Sequence, residues 1–339
     1  MARSVATGIE RTWRDSTPET IEEDLAALWR EGADAGTPIA RAVMSNLIVF
    51  RGLVAEGQAG LDAATGGLPL DEVCARHPSR LIVIEHKRGE ETPSAPFAAG
   101  VAIVTFGPPH ARYGIEQIVV RSACAEASLP SIVRRFVRGD LPTTVWWTED
   151  MSDTPPLDAF IEIGRQLVYD SRAWQDVRRG VAVLAPLVKE RRIDLADLNW
   201  RRLTPVRQAM EPASGEGLAS PPGDATARIG YRRGEAALAW LTAGWLLSDR
   251  QHAVRALPVV EESALEDATL SVTVRRESGE TTVTLKDRSV AIMKGSSPLV
   301  LVGIPIENLV DAVAAELRTF AHDAGLHDAI AALVGAFVK

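Results

Sequence analysis

The stretch Leu81 to Ile84 is apolar without interruption, and Val101 to Phe106 and Ile115 to Val120 are largely apolar. A strand with one face in water alternates apolar and polar residues, whereas a strand without alternation is covered on both faces. Runs of this kind limit the chain to a layered fold with helices above and below a sheet. The segments between and after them have helical character. Ser16-Thr17-Pro18-Glu19 has the spacing of a capping box, and Ile21, Leu25, Leu28 and Trp29 then recur at helical intervals. A second helix is expected after Thr37-Pro38, with Ile39, Val43, Leu47 and Ile48 on its buried stripe. Others are expected over Leu70 to Arg76, Ser128 to Arg138 and Leu157 to Gln166, and a further one carries Trp174, Val177, Val181, Leu184 and Val188. Strands are expected at Val145 to Trp147 and Leu167 to Tyr169. Strand and helix in alternation with short turns argue an α/β domain whose sheet is mixed or parallel.

Gly52 to Gly67 is glycine-rich and reads as a loop. Residues 211–226 hold three prolines, three glycines and two serines, the composition of a linker. This divides the chain into an N-terminal α/β domain over 1–210, a linker over 211–226 and a smaller C-terminal α+β domain over 227–339. In the last, Ala236 to Leu247 is a strongly apolar helix. Leu270, Val272 and Val274 alternate with Ser271 and Thr273, and with Val283 and Leu285 they form a half-buried hairpin. Val290 to Met293 and Leu299 to Val302 add strands, and Leu309 to Phe320 a helix.

A chain of 339 residues with 46% hydrophobic and 24% charged residues is ordinary for a folded protein. A net charge of -8 argues against nucleic-acid binding, which depends on Lys and Arg neutralising phosphates. No run approaches the roughly 18 apolar residues of a membrane span, and the first residues lack the apolar core of a signal peptide. Two cysteines, Cys74 and Cys124, do not make a disulfide framework. A cytoplasmic location is the expectation. Cys74-x-x-His77 with His86 nearby has metal-like spacing but too few ligands, so a core cysteine and no metal are expected. His322, Asp323, His327 and Asp328 read as a solvated helix junction.

Phosphate-cradling glycine motifs, nucleophile elbows and zinc motifs are absent from the sequence, so no catalytic residue and no cofactor are expected. Four residues are cleft candidates. His77 and Arg80 flank the turn entering a strand, where they line a cleft or, for His77, cap the preceding helix. Asp170 and Ser171 follow an apolar strand, where they contact a ligand or, as such residues routinely do, cap the next helix. The partner-interface candidates are Trp146, Trp147, Trp200, Arg201, Arg202 and Arg207, since tryptophan and arginine dominate binding hot spots. Successive strand residues face opposite ways, so one of Trp146 and Trp147 is expected at the surface unless the sheet is covered on both sides.

Leu141-Pro-Thr-Thr-Val-Trp-Trp147, the strand end Tyr169-Asp170-Ser171, Asp197-Leu-Asn-Trp-Arg-Arg-Leu-Thr-Pro-Val-Arg207 and the upstream His77-Pro78-Ser79-Arg80 resemble the glucose-6-phosphate dehydrogenase assembly protein family, OpcA. The likeness is strongest from about Val43 to Met210. It implies a non-catalytic protein of the oxidative pentose phosphate pathway that binds glucose-6-phosphate dehydrogenase and activates it allosterically. The other reading is a sensor or enzyme for a sugar phosphate, with His77, Arg80, Asp170 and the arginines around a cleft at the strand ends. Self-association is left open by the sequence.

Overall fold

The computed structural model describes residues 9–34, 39–52, 67–86, 98–108, 110–122, 128–153, 157, 161–215, 225–248, 254, 256–277 and 279–338. It forms two compact units. One holds 1–149, 156–168 and 309–320; the other holds 150–155, 169–308 and 321–339. The division differs from a break at 211–226. The helix Leu309–Thr319, expected with the C-terminal strands, packs in the first unit, where the Glu316 carbonyl accepts a 3.3 Å hydrogen bond from Gln166 Nε2. Of the expected linker, 216–224 lies outside the described residues, a helix runs through Gly215 and a strand begins at Thr226.

The first unit is built on strands β1 (Glu10–Ser16), β2 (Ile39–Arg41), β3 (Ser45–Gly52), β4 (Ser79–His86), β5 (Ala98–Phe106), β6 (Arg112–Ser122), β7 (Thr143–Trp147) and β8 (Gln166–Tyr169). Their order is β1-β5-β6-β4-β3-β7-β8, with β2 beside β6. From β6 to β8 every neighbouring pair is parallel, and β1 and β5 make the antiparallel side. The sheet is therefore mixed, as expected, with a parallel centre. Every residue of β4 is buried, which is the physical meaning of its unbroken apolar run.

Three expectations change. The helix proposed over Ile39 to Ile48 is instead β2 and β3. Leu47-Ile48-Val49-Phe50 is a continuous, β-branched run of the same kind as Leu81 to Ile84, and helical spacing within so apolar a stretch does not discriminate. Asn46 fixes the start of β3 by donating to the Arg138 carbonyl at 2.9 Å and Thr143 Oγ1 at 3.0 Å. The helix α1 (Ile21–Asp34) is present, with Ile21, Leu25 and Leu28 buried, but Ser16 ends β1 and its cap lies one residue later. Thr20 Oγ1 accepts from the Thr17 N–H at 3.2 Å while the Thr17 carbonyl accepts from the Ile21 N–H at 3.1 Å. Neither Trp146 nor Trp147 is at the surface, their exposures being 3% and 1%. All five residues of β7 are buried, so both of its faces are covered; Trp147 stacks on Phe50 with ring centroids 4.1 Å apart.

Helices α2 (Leu70–Arg76) and α3 (Leu129–Arg134) fall where expected. The loop expected over Gly52 to Gly67 lies almost wholly outside the described residues. Of the helix expected over Leu157 to Gln166, 158–160 lie outside them; Leu157 and Ile161 are helical, but the chain turns over 162–165 and Gln166 already begins β8.

The second unit carries α4 (Val177–Glu190), β9 (Asp194–Asp197), α5 (Leu198–Arg201), α6 (Thr204–Gly215), β10 (Thr226–Tyr231) and α7 (Ala236–Ser248). Strands β11 (Val259–Glu262), β12 (Ala268–Arg276), β13 (Gly279–Lys286), β14 (Ser289–Lys294) and β15 (Ser297–Gly303) follow. Past α8, the Leu309–Thr319 helix of the first unit, α9 (Ala324–Phe337) completes it. The sheet order is β11-β10-β12-β13-β14-β15, antiparallel except for β10 and β11. The expected hairpin is β12 and β13, with Val272 opposite Val283 and Leu270 opposite Leu285. Helix α7 is buried on nearly all sides, and α9 approaches it so closely that a Cβ on Gly244 would lie 2.4 Å from the Ala329 carbonyl oxygen.

Candidate functional site

Open α/β sheets take ligands at the carboxyl ends of their parallel strands. In the first unit that edge carries a row of charge. The register sets Arg51, Glu85 and Arg121 side by side on β3, β4 and β6, and Gly52, His86 and Ser122 one step further on. Glu85 is fully buried. Its Oε1 accepts from Arg51 Nη2 and its Oε2 from Arg121 Nε at 2.8 Å, so both oxygens are held by guanidiniums of neighbouring strands. On the opposite face Phe50 lies between His86, at 6.1 Å between centroids, and Trp147. Glu149 Oε1 accepts the Gly52 N–H at 2.8 Å, which joins the end of β7 to that of β3. The arrangement clamps three parallel strands together. Its sequence signal was a charged residue closing each of three apolar runs at the same offset, which only the register makes legible.

His77 and Arg80 lie at the amino end of β4, and Asp170 and Ser171 follow the carboxyl end of β8. The first pair belongs to the first unit and the second pair to the second. His77 ends α2, with its N–H donating to the Val73 carbonyl at 2.9 Å, and its buried ring meets Ser45 Oγ at 3.2 Å. Burial, then the positive Arg318, pushes its pKa below the ordinary histidine value. Arg80, 1% exposed, binds Glu116 and Glu22. Glu116 also receives Arg41, Arg138 at 3.3 Å and the Trp29 indole N–H at 3.0 Å. Three guanidiniums and an indole thus surround one buried carboxylate beneath α1. Cys74 is fully buried, and burial pushes its thiol up to about 12, which makes it an unreactive core residue. Cys124 lies outside the described residues, among which no group of three or more His, Cys, Asp and Glu could hold a metal.

In the second unit the polar residues form a relay from core to surface. Asp170 caps the short 3-10 turn Ser171–Ala173 by accepting the Arg172 N–H at 3.0 Å. Ser171 is buried; its N–H donates to Asp197 Oδ1 at 3.1 Å and its Oγ accepts from Asn199 Nδ2 at 3.0 Å. Asp197 Oδ1 also accepts the Asn199 N–H at 2.8 Å, capping α5. Burial outweighs these hydrogen bonds and pushes the Asp197 carboxyl up to about 7. Asn199 Oδ1 then accepts from Arg202 Nη1 at 2.8 Å, and Arg202 grips Glu235 with two bonds of 2.6 and 2.8 Å. Ser171, Asp197, Asn199, Arg202 and Glu235 are thus joined in one chain of hydrogen bonds.

Trp200 is buried, not exposed, at 2%; its indole N–H donates to Asp323 at 2.8 Å and the Arg207 guanidinium lies 4.2 Å above its ring. Arg201 donates through Nε to Glu307 at 3.0 Å. The tryptophans therefore fill the interior of their units, and among the interface candidates it is the arginines Arg201, Arg202 and Arg207 that reach the solvent. The helix junction is only half solvated: His322 meets Asp194 at 3.1 Å near the surface, whereas His327 is buried.

Comparison with known proteins places these units in context. Residues 70–186 match the family described as the N-terminal domain of a "Glucose-6-phosphate dehydrogenase subunit", and residues 193–330 match the family described as its C-terminal domain. A protein of Nostoc punctiforme named as the OxPP cycle protein OpcA is 26% identical over 224 residues, 61% of this chain and 47% of its own length. The chain spans about half the length of that curated relative. Among solved structures, the UDP-N-acetylglucosamine 3-dehydrogenase GnnA of Acidithiobacillus ferrooxidans aligns over 88% of this chain and 98% of its own at 13% identity and a TM-score of 0.36. A mutant of the 3-ketoreductase KijD10 of Actinomadura kijaniata aligns over 89% and 97% at 12% identity and a TM-score of 0.43. Resemblances that loose carry nothing about chemistry. The two family matches follow each other in order and cover most of the chain, including the segments quoted above: the chain belongs to the OpcA family of glucose-6-phosphate dehydrogenase assembly proteins.

Proposed function

We propose that this protein is a non-catalytic partner of glucose-6-phosphate dehydrogenase in the oxidative pentose phosphate pathway, and that it activates the enzyme by binding its active conformation. The observation that carries the reading is the pair of consecutive family matches, which together span both domains of a protein described by its association with that dehydrogenase. The interior supports it. His77, Arg80, Glu85, Ser171 and Asp197 are each engaged by a neighbouring residue, and they do so as parts of the scaffold. A binder that prefers one conformation by about 1 to 3 kcal/mol changes apparent affinity roughly 5- to 150-fold without doing chemistry of its own.

Arg201 is the contact residue of first choice. Its pair with Glu307 is partly exposed, and exposed pairs contribute about 0 to 1 kcal/mol, so a carboxylate of the dehydrogenase replaces Glu307 at little cost. Arg201→Ala is expected to leave the unfolding midpoint nearly unchanged and to weaken binding by about 2 kcal/mol, roughly 30-fold, as a hot-spot arginine does. Titrating labelled dehydrogenase with parent and variant checks this. Equal affinity would move the contact elsewhere; no binding by the parent would remove the function itself.

A further inference from the structure

The last strand of the second unit is anomalous. β15 is exposed along its whole length, with Leu299 at 55%, Leu301 at 74% and Val300 and Val302 at 42% each. Ile306, just beyond, is 66% exposed. Edge strands of single proteins are ordinarily guarded by charges, because unpaired N–H and C=O groups beside apolar side chains recruit another strand. Here no charged residue occurs between Ser297 and Ile306.

The ladder's phase fixes which groups face outward. The Ile304 N–H donates to the Arg288 carbonyl at 2.9 Å, in the same register that sets Val302 opposite Val290 and Val300 opposite Ile292. In an antiparallel ladder hydrogen-bonded and non-bonded pairs alternate. Residues 300, 302 and 304 therefore spend their backbone groups on β14, and Leu301 and Gly303 turn theirs to the open edge. Pro298 and Pro305, which have no N–H, confine the available row to the residues between them.

We infer that β15 pairs antiparallel with β15 of a second copy of this chain, about a two-fold axis through Leu301. That register sets Leu301 opposite its own copy and Val300 opposite Val302, so Leu301 meets Leu301 on one face and the valines pair on the other; Leu299, the extra residue at the register shift of β15 against β14, lies at the end of the row. Moving the axis to Val302 would set Leu301 against Gly303 and waste the leucines. A row without charge is self-complementary, since no like charges are brought together. Contiguous exposed apolar residues of this kind mark an interaction site, and an isologous contact uses the same residues on both copies. The inference does not depend on the dehydrogenase.

Sedimentation of the full chain alone, from low to high micromolar, tests it. The parent is expected to sediment as a dimer and Leu301→Lys as a monomer, while Leu257→Lys, a charge on an exposed residue outside β15, stays dimeric. Leu301→Cys gives a second readout that needs no loss of assembly. Hydrogen-bonded antiparallel partners lie about 5.5 Å apart at Cα, within disulfide reach. Mild oxidation is expected to link Leu301→Cys into covalent dimers and to leave Val300→Cys, offset from its copy, unlinked. A parent that is monomeric throughout overturns the inference, as does a dimer that Leu301→Lys leaves intact. So does a monomeric parent whose binding to the dehydrogenase is lost with Leu301→Lys, for then the edge belongs to that partner.

Discussion

Replacing Glu116 by alanine is expected to destabilise the protein by about 3 to 5 kcal/mol, the cost of removing one partner from a buried ion pair. Glu116 is 1% exposed and is the carboxylate shared by Arg80, Arg41 and Arg138. Arg41 and Arg138 are partly in water and can turn outward once it is gone. Arg80 cannot, because it is as buried as Glu116; of its carboxylate partners among the described residues only the exposed Glu22 remains. The Trp29 indole loses its acceptor in the same step. Urea unfolding of Glu116→Ala checks the magnitude. The companion is Arg80→Met with Glu116→Leu, which removes both charges together and is expected to recover most of the loss, since apolar side chains of similar volume often replace a buried pair without penalty. Equal destabilisation by the single and the double variant would mean that packing, and not the orphaned charge, sets the cost.

The second large effect is on pH dependence. Asp197 has its carboxyl pushed up to about 7, from an ordinary value of 3.8, by burial first and Asp170 among the rest, against hydrogen bonds from Ser171 and Asn199. The folded state therefore holds this proton more tightly than the unfolded chain does. The stabilisation is fully present below about pH 4 and is lost as pH rises through 7. A shift of this size corresponds to a difference on the order of 4 kcal/mol between the ends of that window. Asp197→Asn keeps an oxygen for the N–H groups of Ser171 and Asn199 and leaves no charge to bury. The variant is expected to match the parent at pH 4 and to exceed it at pH 8, with denaturant midpoints at the two values as the measurement. Parallel curves for the two proteins would place the Asp197 titration elsewhere.

Much of the architecture was legible because burial on both faces of a strand writes itself as an unbroken apolar run. Leu81 to Ile84 became β4 for that reason, Ile118 to Val120 marks β6 although Glu116 and Gln117 are buried beside it, and the alternation at Leu270 to Val274 became β12. Ile39 to Ile48 misled because a stretch that is apolar nearly throughout satisfies helical and strand spacing alike. The fate of Trp146 and Trp147 depended on whether both faces of β7 are covered, which is a property of the surrounding layers and not of the local residues. β1 escaped notice because Glu-Arg-Thr-Trp-Arg-Asp-Ser is mostly polar; its Trp13 lies on Gly100 of β5 where a Cβ would overlap the indole at 2.0 Å, a fit invisible until the strands are paired. The cluster at Glu116 was hidden for a similar reason. Glu22, Arg41, Arg80 and Arg138 are scattered over more than a hundred residues and share only a destination. Among the site candidates, the arginines of 201–207 reach the surface, whereas the tryptophans, His77 and Arg80 are each buried inside their own unit.

The central claim is activation of glucose-6-phosphate dehydrogenase by binding. The most direct test is the glucose 6-phosphate saturation curve of the same organism's dehydrogenase, with and without one equivalent of this protein, alongside size-exclusion chromatography of the mixture. The account predicts a shared peak and a half-saturation point lowered severalfold. Separate peaks with superimposed curves would contradict it.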